Sequence, residues 1–265
     1  MAVLALHSGA TGLTAMEQAI DVIAHNIANT NTTGFKSLSA NFEDLLYQEK
    51  EQPGAENASG DKRPAGLFLG LGTRLSNTQL NVSQGSAIPD TGSMSMLIDG
   101  QGMFQVTVDD RTVFTRAGNF ARNSEGDMVL GNSFGPRLEP PINIPEGTTS
   151  ITILPDGTVN VTIDNDPEQQ EVGRLELANF TNPTGLRPLG GTLYDQTDAS
   201  GPPIIGNPAE NAFGVIRQGF LEASNVDPVS ELVKLIKTQR YFEFNSQTVQ
   251  AADEALQVIG NLRRF

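Results

Sequence analysis

Near the N-terminus, Leu6, Gly9, Leu13, Met16, Ile20, Ile23 and Ile27 recur at alternating spacings of three and four residues. This is the a/d repeat of a helix with one narrow apolar seam. Gly9 thins the seam at one end, and the other positions, Ser8, Thr11, Thr14, Gln18, Asp21 and Ala24, are small or polar. A helix that lies on a globular core usually carries a wider apolar stripe. The narrow seam therefore predicts a coiled-coil-type helix that pairs with another helix along a line, and that cannot bury its seam alone.

The C-terminal segment has the matching feature. Asp227 before Pro228 reads as an N-cap followed by proline at the first helical position, and Glu231 sits where the positive helix end favours a carboxylate. From there no Pro or Gly intervenes until Gly260. About 30 residues of helix give a rod of roughly 50 Å. Leu235, Phe242, Val249 and Leu256 recur every seven residues, with Leu232, Gln239, Ser246 and Asp253 as the alternate, mostly polar seam positions. Polar seam residues weaken an isolated helix, so this one is predicted to await a partner.

Between the two ends the pattern changes. The first helix is predicted to stop near Asn29, because Asn and Thr from Asn26 to Thr33 compete for backbone hydrogen bonds and Gly34 opens positive φ. Phe42, Leu45, Leu46 and Tyr47 form a short apolar run, and residues 48–66 are polar and rich in Glu, Gly and Pro. From about 67 to 220, runs such as Phe104-Gln-Val-Thr-Val and Thr158-Val-Asn-Val-Thr-Ile alternate with turn dipeptides such as Asp99-Gly100, Glu125-Gly126 and Asp156-Gly157. The expected architecture is α+β. It has an N-terminal helix and turn (1–36), an extended arm (37–66), an antiparallel all-β middle, barrel-like or sandwich (67–220), and a C-terminal helix (221–265), with the two long helices paired with each other.

The chemistry that could sit on such a chain is limited. There are no cysteines, which excludes disulfides and thiolate chemistry. The formal net charge of −14 argues against a nucleic-acid partner, and no segment approaches the length of apolar chain that spans a bilayer. The N-terminus lacks the basic and apolar regions of a secretory signal. His7 and His25 are too far apart for a helical ligand pair, and Asp164-Asn-Asp166 lacks the remaining ligands of a calcium loop. Asp109-Asp110 reads as a hairpin turn rather than a catalytic carboxylate pair. Asp99-Gly-Gln-Gly102 is not followed by the Lys of a phosphate loop. No catalytic, cofactor or metal residues are assigned. The subunit-interface candidates are Leu6, Leu13, Met16, Ile20, Ile23, Ile27, Phe35, Leu232, Leu235, Phe242, Val249 and Leu256. Heterologous contacts between seams, repeated by rotation and translation, give an open helical tube; a closed oligomer is also compatible with the pattern.

Three stretches carry a resemblance. Ala24-His-Asn-Ile-Ala-Asn-Thr-Asn-Thr-Thr-Gly-Phe-Lys36 resembles the N-terminal signature of the flagellar rod and hook axial family. Its turn residues are Asn26, Asn29, Thr33, Gly34 and Lys36. Leu221-Glu-Ala-Ser-Asn-Val-Asp227 and Thr238-Gln-Arg-Tyr-Phe-Glu-Phe-Asn-Ser246 resemble the C-terminal signature. Gly100-Gln-Gly-Met-Phe-Gln-Val106 with Phe114-Thr-Arg-Ala-Gly-Asn-Phe120 resembles the central β domain. Phe42-Glu-Asp-Leu-Leu-Tyr-Gln48 followed by Gln52-Pro-Gly54 is similar to the distal-rod branch. His25, where the family more often has Asn, and the Arg263-Arg-Phe265 tail depart from the pattern. The resemblance implies a homo-oligomeric helical polymer in the periplasmic basal body. It also implies export without a cleaved signal, proximal rod and hook proteins as axial neighbours, and ring proteins around it. No cofactor is implied. The residues alone leave open another rod or hook subunit, or an enzymatic or carbohydrate-binding β module that oligomerises through its ends.

Overall fold

The computed structural model describes residues 2–54, 64–164 and 166–262. Part of the expected arm (55–63), Asn165 and the Arg263–Phe265 tail lie outside the described residues. Helix α1 spans Ala2–Ala28 and helix α2 spans Pro228–Leu262, and they flank a middle built almost entirely of antiparallel strands. The chain divides into two compact units. The first holds the residues up to Ile27, Leu38–Gln79, and the chain from Pro228 on; the second holds Ala28–Ser37 and Leu80–Asp227.

In the first unit α1 and α2 run antiparallel. Near the start of α1, a Cβ added to Gly9 would stand 2.7 Å from the Val249 side chain, and one added to Gly12 would stand 2.9 Å from that of Asn245. At the other end Asn26 reaches Glu231. The buried stripe of α1 is Gly9, Gly12, Ala15, Ala19, Ile23 and Asn26, which shares only Gly9 and Ile23 with the expected seam. Leu6, Leu13, Met16, Ile20 and Ile27 flank that stripe and stay half-buried. Small side chains let two backbones approach closely, so the packed line runs through Gly9, Gly12, Ala15 and Ala19, to one side of the Leu and Ile seam, while Thr14, Gln18, Asp21 and Ala24 are exposed. On α2 the inward line is Glu231, Leu235, Thr238, Asn245, Val249, Ala252 and Leu256, and Phe242 falls in the same four-and-three register but is 38% exposed at its edge. This corrects the expected alternates: Leu232 is 49% exposed and Gln239 and Asp253 are exposed, while Glu231, Thr238 and Ala252 are buried.

The rest of the first unit replaces part of the expected arm with strands. β1 (Leu38–Asp44) pairs with β4 (Thr73–Leu80), and β2 (Tyr47–Glu51) pairs antiparallel with β3 (Leu67–Gly70). The boundary expected at 66/67 therefore does not separate the units, because β3 and residues 73–79 belong with the helices. Polar side chains tie the ribbon together. The Thr73 hydroxyl donates to the Glu43 carbonyl at 2.9 Å, and Asn41 donates to Asn77 at 2.8 Å. A ribbon held this way has no apolar alternation to reveal it.

The second unit is β. Among the described residues its largest sheet has nine strands, with Met103–Val108 flanked by Arg111–Thr115, Arg137–Glu139 and Leu177–Asn179. A separate antiparallel sheet combines Thr148–Ile153, Thr158–Ile163 and Asp166–Arg174. Phe104, Val106, Phe120, Leu138, Val159, Val161 and Leu177 meet in one core, and Phe104 packs edge-on to Phe120 with ring centroids 5.2 Å apart. Asp109 and Asp110 both have positive φ (48° and 61°) and close the hairpin between Met103–Val108 and Arg111–Thr115. This is the mirror-image turn whose twist matches a right-twisted strand pair.

Candidate functional site

Residues 24–36 are organised by a few buried polar side chains. In the first unit the Asn26 amide imitates a neighbouring strand. Its Nδ2 donates to the Leu38 carbonyl at 2.8 Å, and its Oδ1 accepts from the Leu38 N–H at 2.9 Å. The same Nδ2 also reaches Glu231 Oε2 at 3.3 Å. Glu231 in turn accepts from Lys234 Nζ at 2.6 Å, so the buried carboxylate has a cation and an amide as partners.

In the second unit the Asn29 carbonyl accepts from the Thr32 N–H at 3.2 Å, Thr33 is half-buried, and the chain turns back at Gly34 with φ +69°. A Cβ there would stand 2.5 Å from the Ala117 backbone N, so conformation and space both require glycine. The Gly34 N–H donates to the Glu222 carbonyl at 2.8 Å. Phe35 and Lys36 then go inward, and Phe35 is buried in its own chain, which removes it from the interface candidates. Ile23, 8% exposed, is removed in the same way.

Glu222 is the hub of this unit. Its carboxylate binds Lys36 Nζ at 2.5 Å and Arg116 Nε at 2.6 Å, and all three side chains are buried. Lys36 also donates to the Ser83 carbonyl at 2.6 Å, and Arg116 donates to the carbonyls of Ile98, Gly100 and Gly102. Burial pushes the Lys36 ammonium below its ordinary range; Glu222 opposes that shift and Arg116 adds to it. Burial also raises the Tyr194 phenol to about 12, although the Lys36 backbone hydrogen bond pulls it down. Asn225 completes the junction, accepting from the Ser37 N–H at 2.7 Å and donating to the Asn81 and Ser83 carbonyls. Glu222, Arg116 and Asn225 all stand inside the signature stretches, but no spacing rule singles them out, because their partners lie far away in sequence.

A cavity of about 440 Å³ in this unit is lined by Lys36 and Arg116 among others, and both cations are already engaged by Glu222 and carbonyls. Among the described residues there is no group of three or more His, Asp or Glu that could hold a metal, and no helix is long and apolar enough to cross a membrane.

The other feature is the outer face of α2. Val229, Val233, Ile236 and Phe244 are exposed, Ile236 by 57% and Phe244 by 58%. At 100° per residue, Val233, Ile236 and Arg240 each stand two positions from inward Glu231 or Thr238, and so lie on the far side of the helix. An apolar stripe opposite a packed line is a candidate association surface. Two long terminal helices around a β middle, one of them with an apolar face in solvent, have the make-up of a structural subunit.

Comparison with known proteins agrees. Residues 6–36 match the model described as flagella basal body rod protein, 97–161 the flagellar hook protein FlgE/F/G D1 domain, and 217–262 the flagellar basal body rod FlgEFG protein C-terminal region. The flagellar basal-body rod protein FlgG of Agrobacterium fabrum is 40% identical over 96% of this chain and 97% of its own. FlgG of Caulobacter vibrioides is 39% identical over 98% and 99%, and FlgG of Bacillus subtilis 34% over 98% of each. The chain belongs to the flagellar basal-body rod protein family, as a structural subunit most like the distal-rod members.

Proposed function

We propose that this chain polymerises through its terminal helices into the tube of the periplasmic distal rod, which transmits torque and encloses an export path. Proximal rod and hook proteins continue the axis and ring proteins surround it. The observation that carries this reading is the double-faced α2. One line of side chains lies against the small residues of α1 within the chain, and the line through Val233, Ile236 and Phe244 is left for another copy. The half-buried Leu6, Leu13, Met16, Ile20 and Ile27 of α1, with Leu232 and Phe242 of α2, form the margins of the same association surface. Leu235, Val249 and Leu256 hold the helix pair itself. The test is Ile236→Asp with Phe244→Asp in the full chain, followed by electron microscopy and sedimentation as concentration rises. The expected result is a folded β unit and no filaments; filaments like the wild type's would overturn the reading.

A further inference from the structure

We propose that the two helices recognise each other between copies by charge as well as by apolar contact: the acidic edge of α1 docks on the basic outer face of α2 of a second copy. This rests on the polymer reading above and names the partner of that surface.

α1 contains Glu17 and Asp21 but no Lys or Arg, and His25 is its basic residue in the last turn. Glu17 and Asp21 are exposed and each lies two positions from buried Ala19, so both point away from the chain's own α2. Half-buried Leu13 and Ile20 adjoin them. The outer face of α2 has the complementary make-up. Exposed Lys237 and Arg240 lie among exposed Val233, Ile236 and Phe244.

Lys234 is taken up by Glu231 at 2.6 Å, whereas the contact of Arg240 with Glu243 at 3.1 Å is solvent-exposed and can be exchanged for a carboxylate of the second copy. Among the described strand residues of this unit, Glu43 is paired with Arg74 and Lys50 interrupts Glu49 and Glu51. Glu17 and Asp21 are about 6 Å apart along one helix and Lys237 and Arg240 about 4.5 Å along the other, so two pairs can form in one contact. The two surfaces differ and every copy carries one of each. Such a contact is heterologous and leaves an open end at each step.

The test uses full-length chains carrying either E17K with D21K or K237E with R240E, and reads the critical concentration by light scattering and sedimentation. Each doubly reversed chain alone should need about tenfold more protein to assemble than the wild type. A mixture of the two should assemble near the wild-type concentration, because every α1–α2 contact in an alternating polymer is again between opposite charges. Wild-type assembly should also weaken with added salt. Reversed chains that assemble singly as well as the wild type would overturn the charge pairing and leave the polymer reading standing. Folded monomers that fail both singly and mixed would overturn the pairing as well. A wild-type chain that forms no polymer at any concentration would remove both.

Discussion

Glu222 holds two cations in a place where water cannot help it. Removing its charge leaves Lys36 and Arg116 buried together against a neutral amide, and breaking a buried pair from one side costs about 3–5 kcal/mol. Glu222→Gln should therefore lower the unfolding free energy by that order in urea titrations. Lys36→Met added to it should recover part of the loss, since one stranded charge goes with it. Gly34 gives a second residue-scale expectation with its own control. Gly54 has φ +81° with nothing within 4 Å of a built Cβ, so Gly54→Ala should cost only the left-handed strain, about 1–2 kcal/mol. Gly34→Ala adds a collision with the Ala117 backbone and should cost clearly more in the same measurement. Tyr194 sets an alkaline limit. Its proton is held more tightly in the folded chain, where the phenol is pushed up to about 12, than at its ordinary value of 10.0. The stabilisation is therefore complete below pH 10 and is lost as pH rises through about 12, amounting to about 2–3 kcal/mol. Lys36, depressed by burial, works in the opposite sense at high pH, so the comparison to make is wild type against Tyr194→Phe at pH 8 and pH 11.5. The gap between the two should narrow at the higher pH.

For the helices, the sequence shows the period but hides the face. Of the seven-residue recurrence, Leu235, Val249 and Leu256 lie on the inward line of α2 and exposed Phe242 lies at its edge. The alternates were misplaced because Leu232 is apolar and Glu231, Thr238 and Asn245 are not. Two of the polar positions are met inward, Glu231 by Asn26 and Lys234 and Thr238 by the Lys234 carbonyl at 2.9 Å, and the Asn245 side chain occupies the room that Gly12 leaves. On α1 the same bias favoured Leu and Ile over Gly and Ala, although small residues are what allow close approach. Gly12→Leu should therefore separate the helices and lower the midpoint of the 222-nm melt, by an overpacking cost of about 1–3 kcal/mol. Ile236→Asp, on the outer face, should leave that melt nearly unchanged. In the β unit, alternation and turn dipeptides located the long strands. The polar ribbon of β1 and β4 escapes because its order comes from Asn, Thr and backbone partners. The signature turn was visible as a list of residues, while its hub Glu222 lay at the other end of the chain.

At the scale of the whole molecule, the two units differ in how the chain supplies them. Most of the β unit is one continuous stretch, Leu80–Asp227, and its core around Phe104, Val106 and Leu177 is fully buried. The helix unit takes segments from both chain ends and leaves one face of α2 in solvent. Local stability follows buried apolar contact, so amides of the β core should exchange only at the rate of global unfolding, and those of α2 should open far more readily. In the proposed polymer the outer face of α2 is covered, and whatever binds only the ordered helix stabilises it by mass action. Hydrogen exchange read by mass spectrometry on monomer and polymer should then show slowing concentrated in residues 229–248 and in α1 near Glu17 and Asp21, with residues 103–115 unchanged. If α2 is already as protected in the monomer as the β core, the helix pair is self-sufficient, and assembly joins preformed surfaces without ordering them.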